Sequence, residues 1–290
     1  MKILKYLILV IFLISLFTAC STKSPISNSS LPSIKKESYL LFKGKNPRYP
    51  IYPVLNGWGS ARTVDIQAVA LSVASTILPY FSEKSLNTII IKNEKAGPRI
   101  LYERGVNNEY IILVDIKGRR WAQFSYQFSH ELGHILSNYS NKSGKNQWFE
   151  ETMGEVLSLY TLEKMSIIWE HNPPYENWKN YASALKKYLD DMLNEKHRIV
   201  KTDLSTWFHK YENTLRSDPY IRDKNEVVAT AIYRLIQEDK FKISSIQYLN
   251  LGIPNKDKPF SIYLREWYEN VSDENRESVL NVIKLLGVTL

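Results

Sequence analysis

The sequence predicts an α+β protein, with a small N-terminal sheet and helices followed by a mainly helical C-terminal half. Three observations carry this. Short apolar and β-branched runs gather between residues 86 and 116, and helical apolar patterns flank them on both sides. From Trp148 onward almost every segment repeats its apolar residues at helical spacing. At 290 residues, 44% hydrophobic and 23% charged, the chain can bury a substantial core and has the composition of a globular protein.

Residues 1–19 predict a signal segment. Lys2 and Lys5 make a basic start, and Tyr6 to Ala19 is a nearly unbroken apolar run, too short to span a bilayer comfortably. It ends in Leu16-Phe17-Thr18-Ala19-Cys20, which resembles a bacterial lipobox. Cys20 is the only cysteine, so an internal disulfide is excluded. The mature chain is therefore expected to begin at acylated Cys20 and to be lipid-anchored in the bacterial cell envelope, outside the cytoplasm. Residues 20–38, rich in Ser, Pro, Asn and Lys, read as a flexible tether. The formal charge of +8 becomes +6 once Lys2 and Lys5 leave with the signal, 36 basic against 30 acidic side chains. No block of five like charges and no nucleic-acid motif is present, which speaks against a nucleic-acid partner.

Residues 39–140 predict an α+β subdomain. Tyr39 to Ser60, dense in aromatics, Pro and Gly, reads as irregular packed loop. Apolar positions 66, 69, 70, 73, 77 and 78 predict a helix over Val64 to Phe81, stopped by Pro79. Leu86 to Lys92 is a β-branched run and hence a strand. Asn93 to Pro98 is a turn, Arg99 to Arg104 a second short strand, and Gly105 to Asn108 another turn. Tyr110 to Ile116 is the clearest strand, broken by Gly118. Trp121, Phe124, Phe128, Leu132 and Ile135 then space a helix. After a polar loop over Asn141 to Gln147, residues 141–290 predict a helical subdomain, with helices near 148–169, 175–197, 202–216, 224–238 and, interrupted, 259–290.

The helix after the strong strand contains His130-Glu131-Leu132-Gly133-His134, an H-E-x-x-H motif. On a helix the two imidazoles leave one face a turn apart and can grip one ion, with Glu131 beside them to act on a water. A catalytic zinc needs a third protein ligand and an open position. The extended motif that would supply a histidine needs Gly at 137 and His at 140, and both are Ser. A cysteine ligand is excluded because Cys20 belongs to the lipobox. A glutamate on the next helix remains. Glu150, Glu151 and Glu155 precede the apolar stretch Val156 to Leu162, and carboxylates entering a buried helix must be paired or bind a metal. Glu151 and Glu155 share a face. One can ligate while the other takes a hydrogen bond from a ligand histidine and fixes its tautomer. Gly133 and Gly154 would let the two helices approach closely.

These residues, over about 110–165, resemble the gluzincin branch of zinc metallopeptidases, the thermolysin-like and aminopeptidase-like group. The resemblance implies a zincin-like fold and Zn2+, with His130, His134 and Glu151 as metal ligands, Glu131 as general base and Glu155 in support. Glu150 stands where that group usually carries Asn and is a rival ligand, and sixteen residues separate His134 from Glu151. The resemblance also places Tyr110 to Ile116 beside the cleft, where it would pair with an extended substrate. A donor for the transition-state oxyanion is expected from Tyr220 or Arg222, with His171, His197 and His209 as alternatives. The function implied is peptide-bond hydrolysis of a peptide or protein substrate outside the cytoplasm. A cell-wall amidase with the same zinc chemistry and a non-catalytic binding lipoprotein are the competing readings.

Overall fold

A computed structural model of the chain describes residues 49–81, 86–140 and 144–290. The signal segment, Cys20 and the tether lie outside the described residues. The architecture is α+β. Among the described residues four short strands, β1 (Ile51–Pro53), β2 (Ile89–Asn93), β3 (Arg99–Ile100) and β4 (Tyr110–Val114), form one sheet in the order β1-β2-β4-β3. β1, β2 and β4 run parallel, with Ile90 opposite Ile111, and β3 runs antiparallel to β4.

β2 and β4 read as apolar runs because both of their faces are covered. The strand order corrects the expectation that Tyr110 to Ile116 borders the cleft and pairs with substrate: β4 has a partner on each side, and the edge next to it is β3, with β1 at the far edge. Pro98 immediately before β3 suits an edge, where a missing N–H costs no ladder bond. β1 is a second departure, lying in a stretch expected to be irregular. Its three residues, preceded by Pro50 and ending in Pro53, are too few and too Pro-rich to read as a strand, yet Ile89 N–H donates to Pro50 O at 2.8 Å and starts the pairing.

Helix α1 (Thr63–Ile77) buries Ile66, Val69, Ala70, Val73 and Ile77, the predicted stripe. With Leu78–Tyr80 it is apolar and long enough to cross a membrane by composition, but it packs on β1 and on α2 (Trp121–Leu136) inside the core. Gln127 on α2 clasps the Asp115 backbone, accepting its N–H at 2.9 Å and donating to its carbonyl at 3.0 Å, which fixes α2 to the end of β4. Next comes α3 (Gln147–Trp169), buried without interruption from Trp148 to Leu162. Around it pack α4 (Ala182–Leu193), α5 (Leu204–Ser217) and α6 (Arg222–Gln237), α7 (Phe260–Asn270) meets its first turn, and α8 (Asp273–Leu286) packs on α5 and α7.

The entry of α3 is anchored by aromatics. The Trp148 ring lies 4.9 Å from Phe260 and 5.8 Å from Phe208, and Phe149 lies 5.3 Å from Phe260 and 5.7 Å from Trp267. Large rings in such contacts add to the area they bury. They hold the first turn of α3, and so Glu150 and Glu151, in one orientation. A single buried cluster extends from Ile51 through both helices to Leu286.

Candidate metal centre

Where α2 crosses α3, both backbones need small residues. A Cβ on Gly133 would stand 3.1 Å from Gly154 Cα, and one on Gly154 would stand 3.0 Å from the His130 ring. The two glycines therefore admit the imidazole between the helices, as their position in the sequence implies. His130 and His134, one turn apart on α2, turn toward α3 with ring centroids 5.1 Å apart.

Glu151 Oε2 lies 3.3 Å from His130 Nε2 and 3.7 Å from His134 Nε2. All three side chains are buried, and they form a group that could hold a metal ion. The donor set fits a small divalent cation. Ligand atoms about 2.0–2.2 Å from a tetrahedral centre lie roughly 3.3–3.5 Å from one another, close to the spacing seen. Two imidazole nitrogens and one carboxylate also leave a fourth position for a small molecule.

Glu150 and Glu155 divide the supporting roles otherwise than expected. Glu150 is turned away from the Nε2 atoms and accepts a hydrogen bond from His134 Nδ1 at 2.9 Å, which fixes the tautomer that leaves Nε2 free. Its other oxygen accepts from Asn250 Nδ2 at 2.9 Å, and Asn250 in turn accepts from the Tyr263 hydroxyl at 2.7 Å. Glu155 accepts from the Tyr126 hydroxyl and from Arg198 Nη2 at 2.8 Å, not from a histidine. It sits one turn beyond Glu151, where guanidinium groups reach it first. Burial alone would raise its pKa, but Arg198 and Arg222 hold it below the usual carboxylate range.

Glu131 is buried beside the group and lines an open cleft with His134, Glu151, Pro98, Ile100 and Tyr220. Leu101 N–H donates inward to Ile111 O at 3.0 Å, so strand alternation turns the Ile100 amide outward. There it hydrogen-bonds the Glu131 carboxylate. Burial pushes the Glu131 pKa up, the histidines and this amide oppose that, and the net direction is upward. Burial also lowers the His134 pKa, but Glu151, Glu150 and Glu131 outweigh it and raise it to about 10. Burial would raise the pKa of Glu151, yet the histidines bring it below its ordinary value.

Tyr220 lines the cleft, and its hydroxyl accepts from Gln147 Nε2 at 2.9 Å. Arg222 lies on the other side of Glu151, in a hollow shared with His130, Glu155 and Tyr126. Its Nε pairs with Glu226 and its Nη2 lies 3.4 Å from the Tyr126 hydroxyl, so it is already engaged. The alternative histidines do not line the cleft: His209 donates to Gly287 O at 3.1 Å, His171 follows the end of α3, and His197 pairs with Glu226. Glu195, His197 and Glu226 make a second group with metal-ligand spacing. Glu226 is also paired with Arg198 at 3.2 Å and with Arg222, so a cation there would face two guanidinium charges.

Sequence reasoning passed over Tyr102, Gln147 and Asn250. Gln147 had a signal, lying one turn before Glu151 on the same face of α3. Comparison of the chain with protein-family models, curated proteins and solved structures finds no match.

Proposed function

We propose that the protein is a zinc-dependent metallopeptidase with a zincin-like arrangement, hydrolysing peptide bonds outside the cytoplasm. One observation carries the reading: His130 Nε2, His134 Nε2 and Glu151 Oε2 converge in a buried group beside a cleft that also holds Glu131. Zinc, when bound, supplies Lewis acidity, polarising a peptide carbonyl and bringing the pKa of a water from 15.7 down to about 7. Glu131 takes the water's proton and delivers it to the departing amine. Its burial, which raises its proton affinity, suits a group that must first accept and then release. Tyr220 supplies an O–H to the developing oxyanion. The outward edge of β3 offers the Ile100 carbonyl to an extended substrate, as in strand-addition binding. The lipid anchor at Cys20 places this chemistry at the membrane surface.

The test is metal analysis of the mature chain beside its Glu131→Gln variant, with a peptide library as the readout. The expected result is one zinc per chain in both, with cleavage in Glu131→Gln at least about 10²-fold slower. Equal cleavage by the two proteins would sink the assignment.

A further inference from the structure

Three residues from separate elements meet at one side of the cleft: Tyr102 just after β3, Gln147 at the start of α3 and Tyr220 just before α6. The Gln147 Nε2 donates to both phenol oxygens, at 3.1 Å to Tyr102 and 2.9 Å to Tyr220. A primary amide has two N–H bonds, and this one spends both on the tyrosines. Each phenol oxygen is thereby used as an acceptor, and its own O–H proton remains to be donated into the cleft.

The Tyr102 ring and the loop that bears Tyr220 are each held in place. Tyr102 stacks on Tyr139 at 5.7 Å and 20°, and Tyr139 donates to Leu101 O at 2.8 Å. The loop bearing Tyr220 is held by its own N–H to Asp218 Oδ1 at 3.0 Å and by Asn225 Nδ2 to Pro219 O at 2.7 Å. A phenol of ordinary pKa, about 10, is protonated at neutral pH and hence a donor, and burial of both rings favours that form further.

We propose that Tyr102 and Tyr220 form a two-hydroxyl donor pair for the oxyanion, and that Gln147 is the positioning residue that sets both. This rests on the peptidase reading and adds to it a second donor and the amide that aims the two. Donors fixed before reaction stabilise developing charge without reorganisation, which is the physical value of such a clamp.

Gln147→Glu separates this from a packing role. The carboxylate has the same shape but accepts instead of donating, so both O–H groups would turn to it and away from the cleft. Gln147 is half-buried on the first turn of α3, where an acidic residue suits the helix dipole, so the variant is expected to fold. In the zinc-loaded full chain, Gln147→Glu should lower kcat about 10²-fold with KM and zinc content unchanged, and Tyr102→Phe and Tyr220→Phe should each act in the same direction. Gln147→Met, which removes the donor without adding an acceptor, should fall between. Independently of activity, the ζ-carbon resonances of Tyr102 and Tyr220 in labelled metal-free chain, assigned with the two Phe variants, should both move in Gln147→Glu. Resonances that stay in place, or a Gln147→Glu enzyme with wild-type kcat, would overturn the clamp even where Glu131→Gln still abolishes hydrolysis. Hydrolysis indifferent to Glu131→Gln would instead remove the peptidase reading, and with it the catalytic role of the pair.

Discussion

Glu150 and Glu151 are adjacent in the chain and about 100° apart around the helix, and that angle separates their chemistry. One reaches His134 Nδ1 at 2.9 Å, and the other stands 3.3 and 3.7 Å from the two Nε2 atoms. Removing Glu151 should therefore take away a ligand, whereas removing Glu150 should leave the ligands in place with one of them less firmly aimed. Loss of such a supporting partner typically costs 10–100-fold in metal affinity. The expectation is that Glu151→Ala loses stoichiometric zinc and that Glu150→Ala keeps one zinc per chain with affinity weakened by about 10–100-fold, measured by chelator competition. The opposite ranking would exchange the roles of the two glutamates. A comparable division holds at Glu155, whose Arg198 and Tyr126 partners place it in a buried ionic network with Glu226 and Arg222 behind His130.

The α2–α3 crossing is the element that makes the group possible. Ala is a better helix former than Gly by about 1 kcal/mol, so Gly154→Ala would stabilise a free helix. Here the added methyl meets the His130 ring at 3.0 Å, and overpacking typically costs about 1–3 kcal/mol. The steric cost should cancel or exceed the helical gain, and the displaced ring should weaken zinc binding whatever the net stability. Thermal unfolding beside zinc titration of Gly154→Ala checks this, and undiminished zinc affinity would show that the ring has room after all. This element was also the most legible in the sequence. Helical spacing located α2 and α3, the motif named His130, Glu131 and His134 with a glutamate from Glu150, Glu151 or Glu155, and the family resemblance singled out Glu151, which the fold brings to the two histidines. What the spacing could not show was which strand lies at the edge, because the apolar runs of β2 and β4 report burial and say nothing of neighbours. Nor could it show the partners of Glu150 and Glu155, since Asn250 lies 100 residues and Arg198 43 residues along the chain from them. Contacts at that distance are set by how the turn between α4 and α5, which carries Arg198, and the segment before α7, which carries Asn250, pack, and no local pattern encodes that.

For the whole molecule the consequence is a coupling among metal, protons and stability. In the metal-free fold the surrounding carboxylates raise His134 to about 10, from an ordinary value of 6.5. A raised histidine adds stability that is fully present below about pH 6.5 and is lost as pH climbs through about 10, because the folded form holds a proton that the unfolded form releases. A metal at Nε2 must displace that proton. Metal uptake should then release a proton, and the apparent affinity should rise by up to about tenfold per pH unit across this window. Stabilisation by a ligand grows with the logarithm of its concentration over Kd. The gap in Tm between zinc-loaded and metal-free protein should accordingly widen from pH 6 to pH 8.5, because the metal-free fold, still protonated at His134, loses the stability that proton contributes, whereas the loaded fold carries no such proton to lose. Other ionisable groups, Glu226 among them, act alike on both forms and largely cancel in the difference. Calorimetric titration of zinc in two buffers of unlike protonation enthalpy counts the released protons directly. Should the gap narrow with rising pH, or uptake release no proton, His134 would not be a ligand, and the group on α2 and α3 would be a buried ion cluster that holds the two helices together.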